Sequence, residues 1–247
     1  MHWLPPNGAL HGPAFDHLLG LNLAIVFWLF MAAQVLLVLA LMRRGAGPNR
    51  GGKARRSLLI VDYVVLAGIT GLYVWMVASS HRLWAASRES TVCSPGVQVE
   101  VTGVQFQWYF RYPGPDGVYG RTTPRLVSAP TGNPLGLDPA DAHAADDVVT
   151  SILVVPVGRP IDLTLRSQDV IHGFFVPGMR LKQDAIPGMS GHLHFTAETP
   201  GNYVILCSQV CGLGHYRMQA RLLAMPTGQF DAWLTARERA LAAEAKP

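Results

Sequence analysis

The 247 residues are 49% hydrophobic, with the excess crowded into the first third, so the chain is not a purely soluble protein, and its three cysteines are too few for a disulfide-stapled scaffold. The net charge of +4 is not spread evenly. Arg43, Arg44, Arg50, Lys53, Arg55 and Arg56 fall in one stretch without an acid, whereas the chain from His81 onward holds 14 basic and 14 acidic side chains, which marks a membrane topology and excludes a case for nucleic-acid binding.

Residues 1–17 are irregular in pattern, with Pro5, Pro6, Gly8, Gly12 and Pro13, and they lack the Lys or Arg of a signal-peptide start. From Leu18 to Met42 no charge occurs, a length that predicts a helix spanning a hydrocarbon core of roughly 30 Å. A basic, Gly-rich loop over 43–56 leads to a second apolar span over 57–80, so that residues 18–80 read as a transmembrane hairpin. Tyr73 and Trp75 near its far end suit an interfacial belt. The positive-inside rule makes the loop cytoplasmic and both termini external. Asp62 is the single charge of the second span, and its nearness to the cytoplasmic end favours snorkelling to the interface.

Residues 81–96 form a polar connector, helical to about Ser90. Beyond it the pattern turns to short β-type runs separated by turn residues. Strands are predicted at 97–101, 105–112, 151–156, 161–166, 172–176, 192–197, 202–206 and 218–225, with a Gly-, Pro- and Asp-rich insertion over 113–147. Eight strands without intervening helices make a β-sandwich or Greek-key barrel over 97–226. The tail, 227–247, reads as a surface helix. His192 and His194 form an H-x-H whose side chains share one strand face; the pair reads as solvent-facing. Cys93 has no metal-ligating neighbour and reads as a structural or free thiol.

The densest chemistry lies between Cys207 and Met218, C-S-Q-V-C-G-L-G-H-Y-R-M. Two thiols, an imidazole and a thioether in so short a run are a soft to intermediate donor set that favours copper over magnesium, calcium or manganese. A bare Cys207–Cys211 disulfide would need neither His215 nor Met218 at fixed offsets. His172, in D-V-I-H-G-F-F-V-P, offers a second imidazole.

This loop resembles the binuclear copper (CuA) loop of cytochrome c oxidase subunit II, C-x-E-x-C-x-x-x-H-x-x-M. Asp169-Val170-Ile171-His172 resembles the same family's first-histidine motif, and L-K-Q-D-A-I-P-G over 181–188 resembles the stretch that follows it. With the two spans, the resemblance covers nearly the whole chain. It implies a cupredoxin-like sandwich behind the transmembrane hairpin, in a bacterial plasma membrane with the copper domain outside. The implied ligands of two coppers are Cys207 and Cys211 as bridging thiolates, His172 and His215 one to each copper, Met218, and the backbone carbonyl of Gln209.

Two departures limit what carries over. Gln209 stands where much of the family has a Glu whose carboxylate reaches a magnesium ion; the carbonyl is kept and the charge lost, so the expectation of magnesium weakens. The second span lacks the family's Glu and Pro, and a part in proton uptake is not transferred to Asp62. The aromatic strand resembles the family's Q-W-x-W region, where cytochrome c hands over its electron, with Phe106 at the first Trp and Trp108 at the second. Both are candidates for the electron-entry surface.

The implied function is the CuA electron-entry subunit of a bacterial haem–copper terminal oxidase. It would take electrons from cytochrome c or a similar periplasmic carrier and pass them to a haem in oxidase subunit I, where oxygen is reduced to water and protons are pumped. Other oxidase subunits and the lipid bilayer complete its partners. The CuA subunit of a nitric oxide reductase and a membrane-anchored copper-binding or delivery protein are the alternatives. A structural quinol-oxidase subunit without metal conflicts with the intact Cys207, Cys211, His215 and Met218.

Overall fold

The computed structural model describes residues 4–42, 52–88 and 96–244. Two compact units result: Pro13–Ala86, and Met1–Gly12 with Ser87–Pro247.

The first unit is two helices, α1 (Gly12–Met42) and α2 (Gly52–Arg88). Both are long and apolar enough to cross a membrane, α1 over its 31 residues and α2 over the 26 from Ile60 to Ala85. At 1.5 Å per residue these reach beyond a hydrocarbon core of roughly 30 Å. Large apolar side chains such as Trp28, Leu36 and Val64 stand exposed along them, the pattern of helices covered by lipid. The helices run past the predicted spans. α1 begins six residues earlier than Leu18, with Pro13 in the first turn, where its missing N–H leaves no helical bond unmade. α2 takes in Gly52–Arg56 of the predicted loop, since Lys, Arg and Ala are good helix formers, and the first half of the connector, where a helix is expected. Cys93 and most of the basic loop lie outside the described residues.

The second unit is a sandwich of two five-stranded sheets. One runs in the order β3 (Val148–Thr150), β2 (Gln107–Tyr112), β1 (Val97–Val104), β5 (Pro160–Ser167), β8 (Gly191–Thr196). The other runs β4 (Ile152–Pro156), β10 (Gln219–Met225), β9 (Gly201–Cys207), β6 (His172–Val176), β7 (Leu181–Ala185). Every predicted strand is present. β3 and β7 were not foreseen as separate strands, for three residues are too few to show a period and L-K-Q-D-A has no clean alternation.

Alternation builds the core. Ile161, Leu163 and Leu165 of β5 face inward with Val99 and Val101 of β1, opposite Phe174 of β6, Ile205 of β9 and Leu222 of β10, all buried. Each such large side chain contributes about 1.5–3 kcal/mol. Tyr112 is buried without loss because its hydroxyl donates to the Val154 carbonyl (2.8 Å) and accepts from the Val154 amide (2.7 Å). A C-terminal helix, α3 (Thr227–Glu244), closes this side by packing Phe230 and Trp233 around Tyr112.

β1 breaks the alternation, since the outward Glu100 and Thr102 are buried as well. The 113–147 insertion explains it: Thr122, Pro124, Val127 and Leu135 wall a cavity over them. Residues 4–12, irregular by sequence, also join the sandwich. The Gly8 amide donates to the Gly178 carbonyl (2.8 Å) and the Leu10 amide to Thr196 (3.0 Å).

Candidate metal centre

Three strand ends and one loop build the site. His172 opens β6 and Cys207 closes β9; the pairing of Phe174 with Cys207 sets the two strand ends side by side. The chain then loops through Cys211, makes a 3-10 turn over His215–Arg217, and enters β10 directly after Met218. Hydrogen bonds close the loop: the Cys207 amide donates to the Met218 carbonyl (3.2 Å) and the Met218 amide to His215 (3.1 Å). Gly212 turns the chain at φ +135°, a left-handed conformation that side chains rarely adopt. A Cβ on Gly214 would lie 2.4 Å from the Phe106 ring, so the glycines let that ring lie on the loop.

The predicted ligands converge. Cys211 Sγ lies 3.8 Å from Cys207 Sγ, 3.7 Å from His215 Nδ1 and 3.7 Å from Met218 Sδ, and Cys207 Sγ lies 3.1 Å from the Gln209 carbonyl oxygen. His172, Cys207 and Cys211 each bring a ligand atom within 4.8 Å of the others. Both cysteines are free, their sulfurs far beyond the roughly 2.05 Å of a disulfide.

The fit of these residues to a metal rests on His172, which is completely buried. Its Nε2 lies 2.8 Å from an Asp169 carboxylate oxygen, while its Nδ1 is buried with no hydrogen-bond partner. An orphaned buried ring nitrogen costs free energy unless something fills its lone pair. Because the carboxylate can only accept, Nε2 carries the proton and Nδ1 offers that lone pair, the usual way an outer carboxylate fixes a ligating imidazole. Among thiols and a thioether, a soft or borderline metal ion answers this vacancy.

Electrostatics agree. Burial would raise the Asp169 carboxyl, but hydrogen bonds from His172 and from the Gln105 and Val170 amides hold it below the usual carboxylate range. Burial, and then the Cys207 thiol beside it, push the Cys211 thiol up to about 11. Without metal that thiol keeps its proton at neutral pH, and a bound cation must displace it.

Sequence reasoning missed two residues. Asp169 entered only as part of a motif, although a carboxylate three residues before a buried histidine is a readable signal. Gln105 had no signal; its amide donates to Asp169 (2.7 Å) and its side chain to the Cys211 carbonyl, tying β1–β2 to the copper loop. Trp108, expected at the electron-entry surface, is a correction. It has no exposed surface and packs edge-on against His172 and Phe174, ring centroids 5.8 and 5.4 Å apart, because alternation on β2 points it inward. Phe106 is partly exposed on the loop, where Val210, Leu213 and Tyr216 project outward.

The model of the cytochrome c oxidase subunit II periplasmic domain matches residues 97–224, just over half of the chain. The chain belongs to this family. Subunit II of the haem–copper oxidase family is thus its class; the domain implies copper, and His172, Cys207 and Cys211 form a group that could hold a metal ion. Over 146 residues the chain is 40% identical to an alternative cytochrome c oxidase subunit 2 of Bradyrhizobium diazoefficiens, covering 58% of this chain and 52% of that one. Over 140 residues it is 32% identical to cytochrome c oxidase subunit 2 of Synechocystis, covering 57% and 33%. It therefore spans about half or less of the length of these relatives. The crystal structure of the periplasmic domain of subunit II of cytochrome oxidase of Bradyrhizobium japonicum covers 60% of this chain and 98% of its own, at 25% identity and a TM-score of 0.44.

Proposed function

We propose that this chain is the CuA electron-entry subunit of a bacterial haem–copper terminal oxidase. His172, Cys207, the Gln209 carbonyl, Cys211, His215 and Met218 would hold two coppers, taking electrons from cytochrome c or a similar periplasmic carrier for the haem of subunit I, which reduces oxygen to water and pumps protons. Held by the thiolates of Cys207 and Cys211 and the imidazoles of His172 and His215, copper would supply one-electron transfer. The observation that carries the reading is the buried, partnerless Nδ1 of His172, a residue with a ring nitrogen within 4.8 Å of two free thiols.

The residues around the ligands have separate parts. Asp169 holds the His172 ring in the tautomer that can ligate. Gln105 ties the loop at Cys211 to the first sheet. Trp108 and Phe174 exclude water from the His172 side, which keeps the site's dielectric low. Phe106, Val210, Leu213 and Tyr216 offer the apolar surface nearest the loop, the natural face for a docking carrier. Gln209 is exposed and uncharged, so no magnesium is expected at that position.

The hairpin over 18–80 would anchor the 97–226 domain outside the plasma membrane, with the basic loop in the cytoplasm and both termini external. Reporter fusions within 45–55 should behave as cytoplasmic and fusions after Pro247 as external. The main test is a metal count with electron spin resonance on the purified protein. Two coppers sharing one unpaired electron are expected. One copper in an exchangeable site would identify a copper-delivery protein instead.

A further inference from the structure

One imidazole pair has no part in the copper loop. His192 and His194 alternate with the buried Leu193 and Phe195 along β8, so both stand on the outer face of the strand at one edge of its sheet. In the ladder to β5, Asp162 lies directly across from His194 and Thr164 across from His192. The Asp162 carboxylate meets Nδ1 of His194 within hydrogen-bond distance. A carboxylate only accepts, so Nδ1 carries the proton and the Nε2 lone pair is left for another partner. A ligating histidine is commonly oriented this way, by an outer carboxylate on its second nitrogen.

We propose that His194 Nε2 and His192 form a second metal site, for a divalent zinc or copper ion, with Asp162 as the positioning residue behind His194. Residues two apart on a strand are separated by about 6.6 Å of backbone, a span two imidazole arms can close around one ion at about 2.0–2.1 Å. His192 is exposed, so turning its ring toward His194 disturbs no packing. Imidazole selects zinc, copper or nickel over magnesium and calcium, which seek several free oxygens. Here the Asp162 oxygen is already engaged. Arg166, two residues beyond Thr164 on β5, is held by Glu100 at 3.0 Å, which offsets its field. Two protein ligands leave the remaining positions to water, so the ion is exchangeable, unlike one held by buried thiolates. The site stands apart from the Cys207–Met218 loop in sequence and in chemistry, and it does not depend on what that loop binds.

Equilibrium dialysis of the full-length chain in detergent against zinc, after its cysteine site has been filled with copper and exchangeable metal has been stripped with a chelator, tests the proposal. The parent should hold one zinc more than His192→Ala, a surface substitution that leaves the fold intact, and His194→Ala should lose the same zinc. Asp162→Asn should keep the stoichiometry but weaken binding about 10–100-fold, as loss of an orienting carboxylate does. Added copper(II) should give a mononuclear spin signal coupled to two imidazole nitrogens, absent in His192→Ala. Zinc uptake equal in the parent and His192→Ala would be adventitious and would overturn the site. Unchanged affinity in Asp162→Asn would overturn the role given to Asp162.

Discussion

The Asp169–His172 pair and the Arg111–Asp147 pair are both ion-pairing side chains folded into the sandwich, yet they differ in what they leave open. Arg111 is nearly inaccessible and directs its donors to Asp147, to Glu100 (3.5 Å) and to the Gly120 carbonyl, with its guanidinium 5.2 Å from the Tyr119 ring centre. Its partners come from β1 and from both ends of the 113–147 insertion, so the cluster clamps that insertion to the sheet. His172 has one nitrogen on Asp169 and the other on nothing. The Arg111 network is architecture: Asp147 Oδ1 has no hydrogen-bond partner there, but the cation is surrounded on all sides. A network that stops at a buried lone pair beside two thiols is a binding site.

The largest effect that separates the two is expected at the thiols. Cys207→Ser should abolish the delocalised two-copper spin signal while the thermal transition of the metal-free domain hardly moves. Copper count, spin resonance and calorimetry together check it; a retained delocalised signal would show that Cys207 bridges nothing.

Arg111→Ala should do the reverse. Removing one partner of a buried pair strands Asp147 and Glu100, at about 3–5 kcal/mol of stability. Denaturant unfolding should register that loss, while protein that remains folded still binds its full copper complement. A loss below about 1 kcal/mol would mean the clamp is solvated in solution, like a surface pair.

A smaller effect is expected at Asp169→Asn. The amide cannot hold the His172 ring as the carboxylate does, and metal affinity should fall about 10–100-fold with the ligand set intact. Competition with a copper chelator measures it, and an unchanged affinity would return Asp169 to a purely structural part.

The smallest effect concerns an ion pair with neither property, Asp116–His143 on the insertion surface. The hydrogen bond to Asp116 raises His143 above its ordinary value, and the same bond lowers Asp116. A histidine raised on folding stabilises fully below its unfolded value and loses this as pH rises through the folded one. An acid lowered on folding stabilises above its unfolded value and loses this as pH falls. The difference in melting temperature between parent and His143→Ala should therefore be flat between roughly pH 4 and 6.5 and fade on either side. It should shrink further in high salt. A difference that grows above pH 7 would contradict the assignment.

Local pattern determined a good deal of this protein. The apolar runs required two long helices because an isolated segment satisfies its own backbone in lipid only as a helix, and period-2 alternation required inward faces such as Ile161, Leu163 and Leu165. The offsets among Cys207, Cys211, His215 and Met218 announced soft-metal chemistry, since a single loop already brings those four together. Other facts depended on residues far apart in sequence. That His172 reaches the loop follows from β6 lying against β9. That Trp108 is core follows from which face of β2 the second sheet covers, and Phe106, in the turn before β2, lies instead against Gly212 and Gly214 of the loop. Glu100 and Thr102 are buried because an insertion folds back over the outer face of β1, and no periodicity within β1 records it. A short-range pattern states which atoms can bind; pairing between distant strands decides which of them are left without a partner.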